Sequence, residues 1–99
     1  MSVPVQQPLD MDGTGSVKVP DGKLVRVAAT FDDRFREVTI TGDFFLEPPE
    51  ALAAIEAAIE GQPIDASEDE LAAAVDAVEA DLIGFGPADV AAAAKEAVR

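Results

Sequence analysis

Cysteine and histidine are both missing from this chain of 99 residues. Without cysteine there is no disulfide, no thiol nucleophile and no thiolate ligand for zinc or an iron–sulfur cluster. Without histidine there is no imidazole base, no imidazole ligand and no Ser-His-Asp triad. Tryptophan and tyrosine are also absent, so five phenylalanines make up the whole aromatic complement. Basic residues are scarce: 7 Lys and Arg stand against 20 Asp and Glu, a formal net charge of −13. Such a surface repels phosphate backbones and anionic lipid, so no nucleic acid and no membrane is expected as a partner. No run approaches the ~20 apolar residues of a membrane span. The N-terminus has neither the basic region nor the apolar core of a signal peptide, and the expected location is cytoplasmic.

The acids are spread along the chain instead of forming one block. A block would read as an interaction tail, whereas a spread, with much alanine and little lysine, reads as the solvated surface of a halophilic-type protein. Self-repulsion then destabilises the chain at low salt, where the Debye length is about 30 Å at 0.01 M against about 3 Å at 1 M. The length sets one domain, which buries roughly 60–65% of its unfolded surface. The larger apolar residues supply one core: Leu24, Val25, Val27, Phe31, Val38, Ile40, Phe44 and Phe45 in the first half, then Leu52, Ile55, Ile59, Leu71, Val75, Val78, Leu82 and Phe85.

Residues 1–15 hold two prolines and two glycines with little periodicity, and read as a flexible or extended N-terminal arm, leaving a single domain over 16–99. Val17 and Val19 alternate with polar neighbours until Pro20-Asp21-Gly22 signals a turn. Val25, Val27, Ala29 and Phe31 share one strand face, and Val38 and Ile40 another, with Asp32-Asp33 turning between them. Short links between three strands imply an antiparallel meander. Pro48-Pro49 then precede a helix whose Leu52, Ile55 and Ile59 form one stripe, stopped by Gly61 and Pro63. Ser67 and Glu70 form a capping box ahead of a second helix, with Leu71, Val75, Val78 and Leu82 on one face. Gly84-Phe85-Gly86-Pro87 breaks the chain before a third helix opened by Asp89. The class is α+β: a three-stranded antiparallel meander followed by three helices packed on one face.

Several acidic groups invite a site reading. Asp10 to Asp21 places acids at calcium-loop positions 1, 3 and 12 and Gly15 at 6, but Lys18 sits at position 9 and the last ligand is a short Asp. A flexible acidic turn explains it better, and a minimal calcium module stays a third option. Asp65, Glu68, Asp69 and Glu70 fit a helix cap on a solvated face better than a metal site. A carboxylate pair alone needs a cleft to act as a glycosidase does. No phosphate-cradling glycine motif occurs. No catalytic and no metal-ligating residue is expected.

Gly42-Asp43-Phe44-Phe45 is the most particular turn in the chain. Glycine permits positive φ, and Asp43 can accept backbone N–H groups. Phe44 and Phe45, as successive strand residues, point to opposite faces, so that one fills the core and the other lies nearer solvent. An exposed aromatic beside a tight turn is a good anchor for a partner protein. Lys23, in a chain poor in lysine, is either an ordinary strand start or a cation set toward an acidic partner group.

Gly22-Lys23-Leu24-Val25-Arg26-Val27, then Val38-Thr39-Ile40-Thr41-Gly42-Asp43-Phe44-Phe45-Leu46-Glu47-Pro48, resembles the accessory C-terminal domain of lipoate–protein ligases. Leu52, Ile55 and Gly61, followed by Ile83-Gly84-Phe85 and Asp89-Val90-Ala91, extend the likeness over roughly residues 16 to 98. The resemblance implies a fold of the scaffold-protein (SufE/NifU-like) type, here without the cysteines of cluster assembly. It implies the form of that domain made as a separate small protein, since this chain has its own initiator Met and no catalytic domain. Its partner is then the large catalytic lipoate–protein ligase subunit, in a heterodimer. The small subunit is required for ATP-dependent lipoate activation to lipoyl-adenylate. Lipoate, ATP and magnesium belong to the complex, and none is bound by this chain alone. Lys23, Gly42, Asp43, Phe44 and Phe45 are the expected partner-contact or ligand-proximal residues. The alternative is a stand-alone protein-binding adaptor of scaffold-like fold with no role in lipoylation.

Overall fold

The computed structural model describes residues 11–19 and 23–98. Three strands, β1 (Met11–Lys18), β2 (Leu24–Phe31) and β3 (Phe35–Gly42), form an antiparallel sheet in the order β1-β2-β3. The expected alternation holds. Val25, Val27 and Ala29 lie opposite Gly42, Ile40 and Val38, and all but Gly42 are buried. The intervening Arg26, Ala28, Thr39 and Thr41 are exposed on the other face. Two three-residue strands, β4 (Phe45–Glu47) and β5 (Asp81–Ile83), make a second, antiparallel ribbon that periodicity did not announce. Helices α1 (Ala51–Ile59), α2 (Glu68–Asp76) and α3 (Pro87–Ala97) complete the α+β fold.

The helices cover one face of the main sheet. Ile55 and Ile59 of α1, Leu71 and Val75 of α2, and Val90 and Ala94 of α3 join the inward residues of β2 and β3 in one cluster. Full burial of such a branched side chain stabilises by about 1.5–3 kcal/mol. Leu52 is only half-buried, and Ala51 takes the inner position on the first turn instead. Gly61 ends α1 at φ +89°, where an L side chain is disfavoured. The capping box of α2 forms as expected: Ser67 Oγ accepts from Glu70 N at 3.1 Å, and Glu70 Oε1 accepts from Ser67 N at 2.9 Å.

Three expectations need correction. Strand β1 begins at Met11, so residues 11–15 are strand and not arm, while residues 1–10 lie outside the described residues. Gly13 and Gly15, which read as loop residues, face α3. A Cβ at Gly13 would run into the Ala97 carbonyl oxygen, and one at Gly15 into that of Ala93. Glycine is there for close backbone approach. The second correction concerns α2, which stops at Asp76. Val78 lies beyond the helix, its N–H bonded to Val75 O at 3.0 Å, and Leu82 sits at the centre of β5 opposite Leu46. Pairing with β4 satisfies the 81–83 backbone while keeping Leu82 packed on the core, so a local helical stripe yields to a tertiary partner. Third, the core includes Phe35, 1% exposed, and excludes Phe45, 67% exposed.

The calcium-loop option fares poorly. Asp10, Asp21 and Gly22 lie outside the described residues, but Met11–Lys18 is paired with β2 along its whole length. An extended strand does not wrap an ion, and Asp12 faces Thr30 across the sheet.

Candidate functional site

The five residues singled out from the sequence meet at one corner, where β3 ends, β2 begins and the β4–β5 ribbon lies alongside. Gly42 closes β3 opposite Val25 with φ +154°. Its missing side chain matters, because a Cβ there would strike the Leu24 carbonyl oxygen and lie 2.8 Å from Phe44 Cε2. Asp43 then staples the turn to β2. Its Oδ1 accepts from Leu24 N at 3.1 Å, and its own N–H donates to Leu24 O at 3.3 Å. The staple fixes the residue next to Leu24, which is Lys23.

The two phenylalanines separate as strand geometry requires. Phe44 is half-buried and stacks on Phe85, with ring centroids 4.3 Å apart and an interplanar angle of 34°. A pair of this kind is worth about 0.5–1.5 kcal/mol beyond its buried area. Phe45 stands in solvent opposite Ile83, itself 49% exposed. Lys23 Nζ lies 5.8 Å from the centre of the Phe45 ring, within cation–π range and worth about 0.5–1 kcal/mol at an exposed site. The Lys23 stem reaches that point across Gly84, whose φ is +89°; a Cβ on Gly84 would meet Lys23 Cγ at 3.3 Å.

Three contributors to this corner were not marked as site residues from the sequence. Ile83 pairs with Phe45, Phe85 supports Phe44, and Gly84 leaves room for the Lys23 stem. The Gly84-Phe85-Gly86 break was visible as a break. Its proximity to residue 45, some forty positions away, depends on the β4–β5 pairing.

Behind Phe45 an open groove of about 440 Å3 runs over Thr41, Gly42, Leu46, Pro49 and Leu52. Its walls are mainly apolar and include Glu47. At this corner the Asp43 carboxylate accepts from the Leu24 amide, Phe45 and Lys23 offer a ring and a cation, and the adjoining groove adds the Thr41 hydroxyl and the Glu47 carboxylate. Such a surface can bind and position a partner. Among the described residues, no three His, Cys, Asp or Glu side chains are grouped to hold a metal ion. No helix of the described residues is long and apolar enough to cross a membrane.

A separate polar feature is a turn far from this corner. Arg36 Nε donates to both oxygens of Asp32 at 2.9 Å, and Arg34 N donates to Asp32 Oδ1 at 3.0 Å. The Arg36 guanidinium first, and then the Arg34 N–H, hold the Asp32 carboxyl well below the usual carboxylate range. This turn orders the β2–β3 hairpin and touches none of the candidate residues.

No protein-family model and no curated protein matches the chain. Among solved structures it is similar to a chain from the archaeal lipoylation system of Thermoplasma acidophilum, described as a bi-partite lipoate protein ligase and its E2 lipoyl domain. The two are 25% identical, with a TM-score of 0.68 over 81% of this chain and 90% of that one.

Proposed function

We propose that this chain is the non-catalytic accessory subunit of a two-part lipoate–protein ligase, required by the large catalytic subunit for ATP-dependent formation of lipoyl-adenylate and so for protein lipoylation. The observation that carries the reading is the exposed Phe45, held on a stapled turn beside Lys23. The likeness to a bi-partite ligase system supplies the context. On this reading Phe45 and Ile83 are the apolar centre of the contact, and Lys23 faces an acidic group of the large subunit. Gly42 and Asp43 lie at the same contact and hold the anchor in place.

The role follows from what the corner offers. Such a surface can close a partner's pocket and exclude water from it. Docking then shifts the large subunit toward its competent conformation. Raising that conformation from about 1% to about 99% takes roughly 5.5 kcal/mol of differential binding, which calls for a desolvated anchor and not for rim charges alone. Lipoate, ATP and magnesium are bound in the complex by the large subunit. The scaffold-protein relationship of the fold, a cytoplasmic location and adaptation to high salt belong to the same reading.

The test is co-expression with the large catalytic subunit, followed by lipoate-dependent exchange of pyrophosphate into ATP. Exchange should require both chains. Full exchange by the large subunit alone, or any by this chain alone, contradicts the proposal.

A further inference from the structure

Among the described residues β3 is an edge strand, since the sheet order β1-β2-β3 gives it no strand neighbour on its outer side. An open edge with exposed β-branched residues such as Thr39 and Thr41 is a template for another strand. Two of its outward amides are nevertheless occupied. Val38 N donates to Glu60 Oε2 at 3.0 Å, and Ile40 N donates to Glu56 Oε2 at 2.9 Å. Where β3 begins, Phe35 N donates to Gln62 O at 2.9 Å and Phe35 O accepts from Gly61 N at 2.8 Å.

The spacing explains why a helix can do this. Residues four apart on a helix rise about 6 Å, and amides two apart on a strand lie about 6.8 Å apart. Glu56 and Glu60 therefore match Ile40 and Val38 one for one, with α1 running antiparallel to β3. Ile55 and Ile59 anchor the same helix in the core, each fully buried. The neighbouring glutamates are left on the flank beside the strand edge.

We infer that Glu56 and Glu60 guard this edge, and that what they exclude is a second copy of this chain pairing β3 to β3. Antiparallel pairing of one edge with itself is closed by a two-fold axis and needs no other partner. The formal charge of −13 keeps copies apart while it is unscreened. In molar salt the Debye length falls to about 3 Å, and that long-range repulsion is lost. The carboxylate–amide hydrogen bonds act at contact distance and persist, so the guard matters most where net charge has stopped working. The inference is independent of the proposed ligase partner.

The full chain and two double variants, measured by sedimentation equilibrium in 0.1 M and 2 M KCl, test it. The parent should be monomeric in both. Glu56→Ala with Glu60→Ala should dimerise at least ten-fold more tightly in 2 M than in 0.1 M salt. Glu56→Gln with Glu60→Gln keeps an acceptor oxygen and should stay monomeric in both. An alanine pair that is folded and monomeric at every salt concentration overturns the inference, and so does a parent that dimerises in 2 M salt. Dimerisation of the glutamine pair assigns the effect to charge and overturns the hydrogen-bond account. Should the alanine pair not fold, amide exchange in the parent decides: Val38 and Ile40 should be slowed, and exchange as fast as that of exposed amides overturns the guard.

Discussion

Where α3 crosses β1, Gly13 and Gly15 meet the Ala97 and Ala93 carbonyls and nothing larger than a hydrogen fits. At the β4–β5 ribbon the opposite holds: Phe45 and Ile83, two of the larger side chains in the molecule, stand 67% and 49% exposed. In the seam, burial comes from backbone approach, and the buried Ala93 and Ala97 allow it because they are small. In the ribbon, apolar area is left in water although core positions for large residues exist elsewhere. Side-chain size therefore does not report burial here. It separates a region that holds the fold together from a region that holds a surface out.

That contrast predicts opposite responses to substitution. The largest loss should come from Gly15→Val, which forces α3 off β1; overpacking costs about 1–3 kcal/mol, and a clash with backbone falls at the upper end. Urea unfolding followed by circular dichroism should show the midpoint collapse. If Gly15→Val unfolds at the parent's midpoint, the seam is not the close contact described. Next is Gly42→Ala, expected to cost about 2 kcal/mol from the positive φ and the contact with Leu24 O. This position belongs to the ribbon's corner but behaves like the seam, because backbone, not surface, is at stake.

A smaller effect is expected at Asp32, remote from both regions. Its folded pKa is depressed by Arg36 and the Arg34 N–H, while the unfolded value is about 3.9. Its contribution to stability is therefore present above about pH 4 and lost as the pH falls toward the folded value. Asp32→Asn should be less stable than the parent at pH 7, and the gap between the two should narrow below pH 4. Relief of net-charge repulsion on acidification is nearly common to both proteins and largely cancels in the difference. A gap that widens in acid would reverse the assignment.

Much of this arrangement was legible in the sequence, and the exceptions share a cause. Strands β2 and β3 announced themselves through Val25, Val27, Val38 and Ile40 at period two, and α2 through its Ser67–Glu70 box. Those signals are local. β4 and β5 are three residues each, too short for a period to register, and each exists because the other does. Leu82 continued a helical stripe on paper and was taken by Leu46 across the ribbon instead. Gly13 and Gly15 looked like loop punctuation because the helix that needs them lies some eighty residues on. At the site, the opposite facing of Phe44 and Phe45 followed from strand parity alone. The approach of Lys23 to Phe45 did not, since it depends on the Asp43–Leu24 staple and on the room above Gly84.

The smallest stability change and the largest functional one should coincide at Phe45, and this is the sharpest test of the account. Phe45→Ala should leave the unfolding midpoint within about 0.5 kcal/mol of the parent, as for an exposed side chain. Loss of an interface anchor costs about 2 kcal/mol or more, roughly 30-fold in affinity. With this chain limiting in the reconstituted pair, lipoate-dependent pyrophosphate exchange should fall by a similar factor and recover when the variant is supplied in excess. Exchange that is unchanged at limiting Phe45→Ala, with the variant equally stable, would contradict the claim that this corner is the surface the chain presents to its ligase.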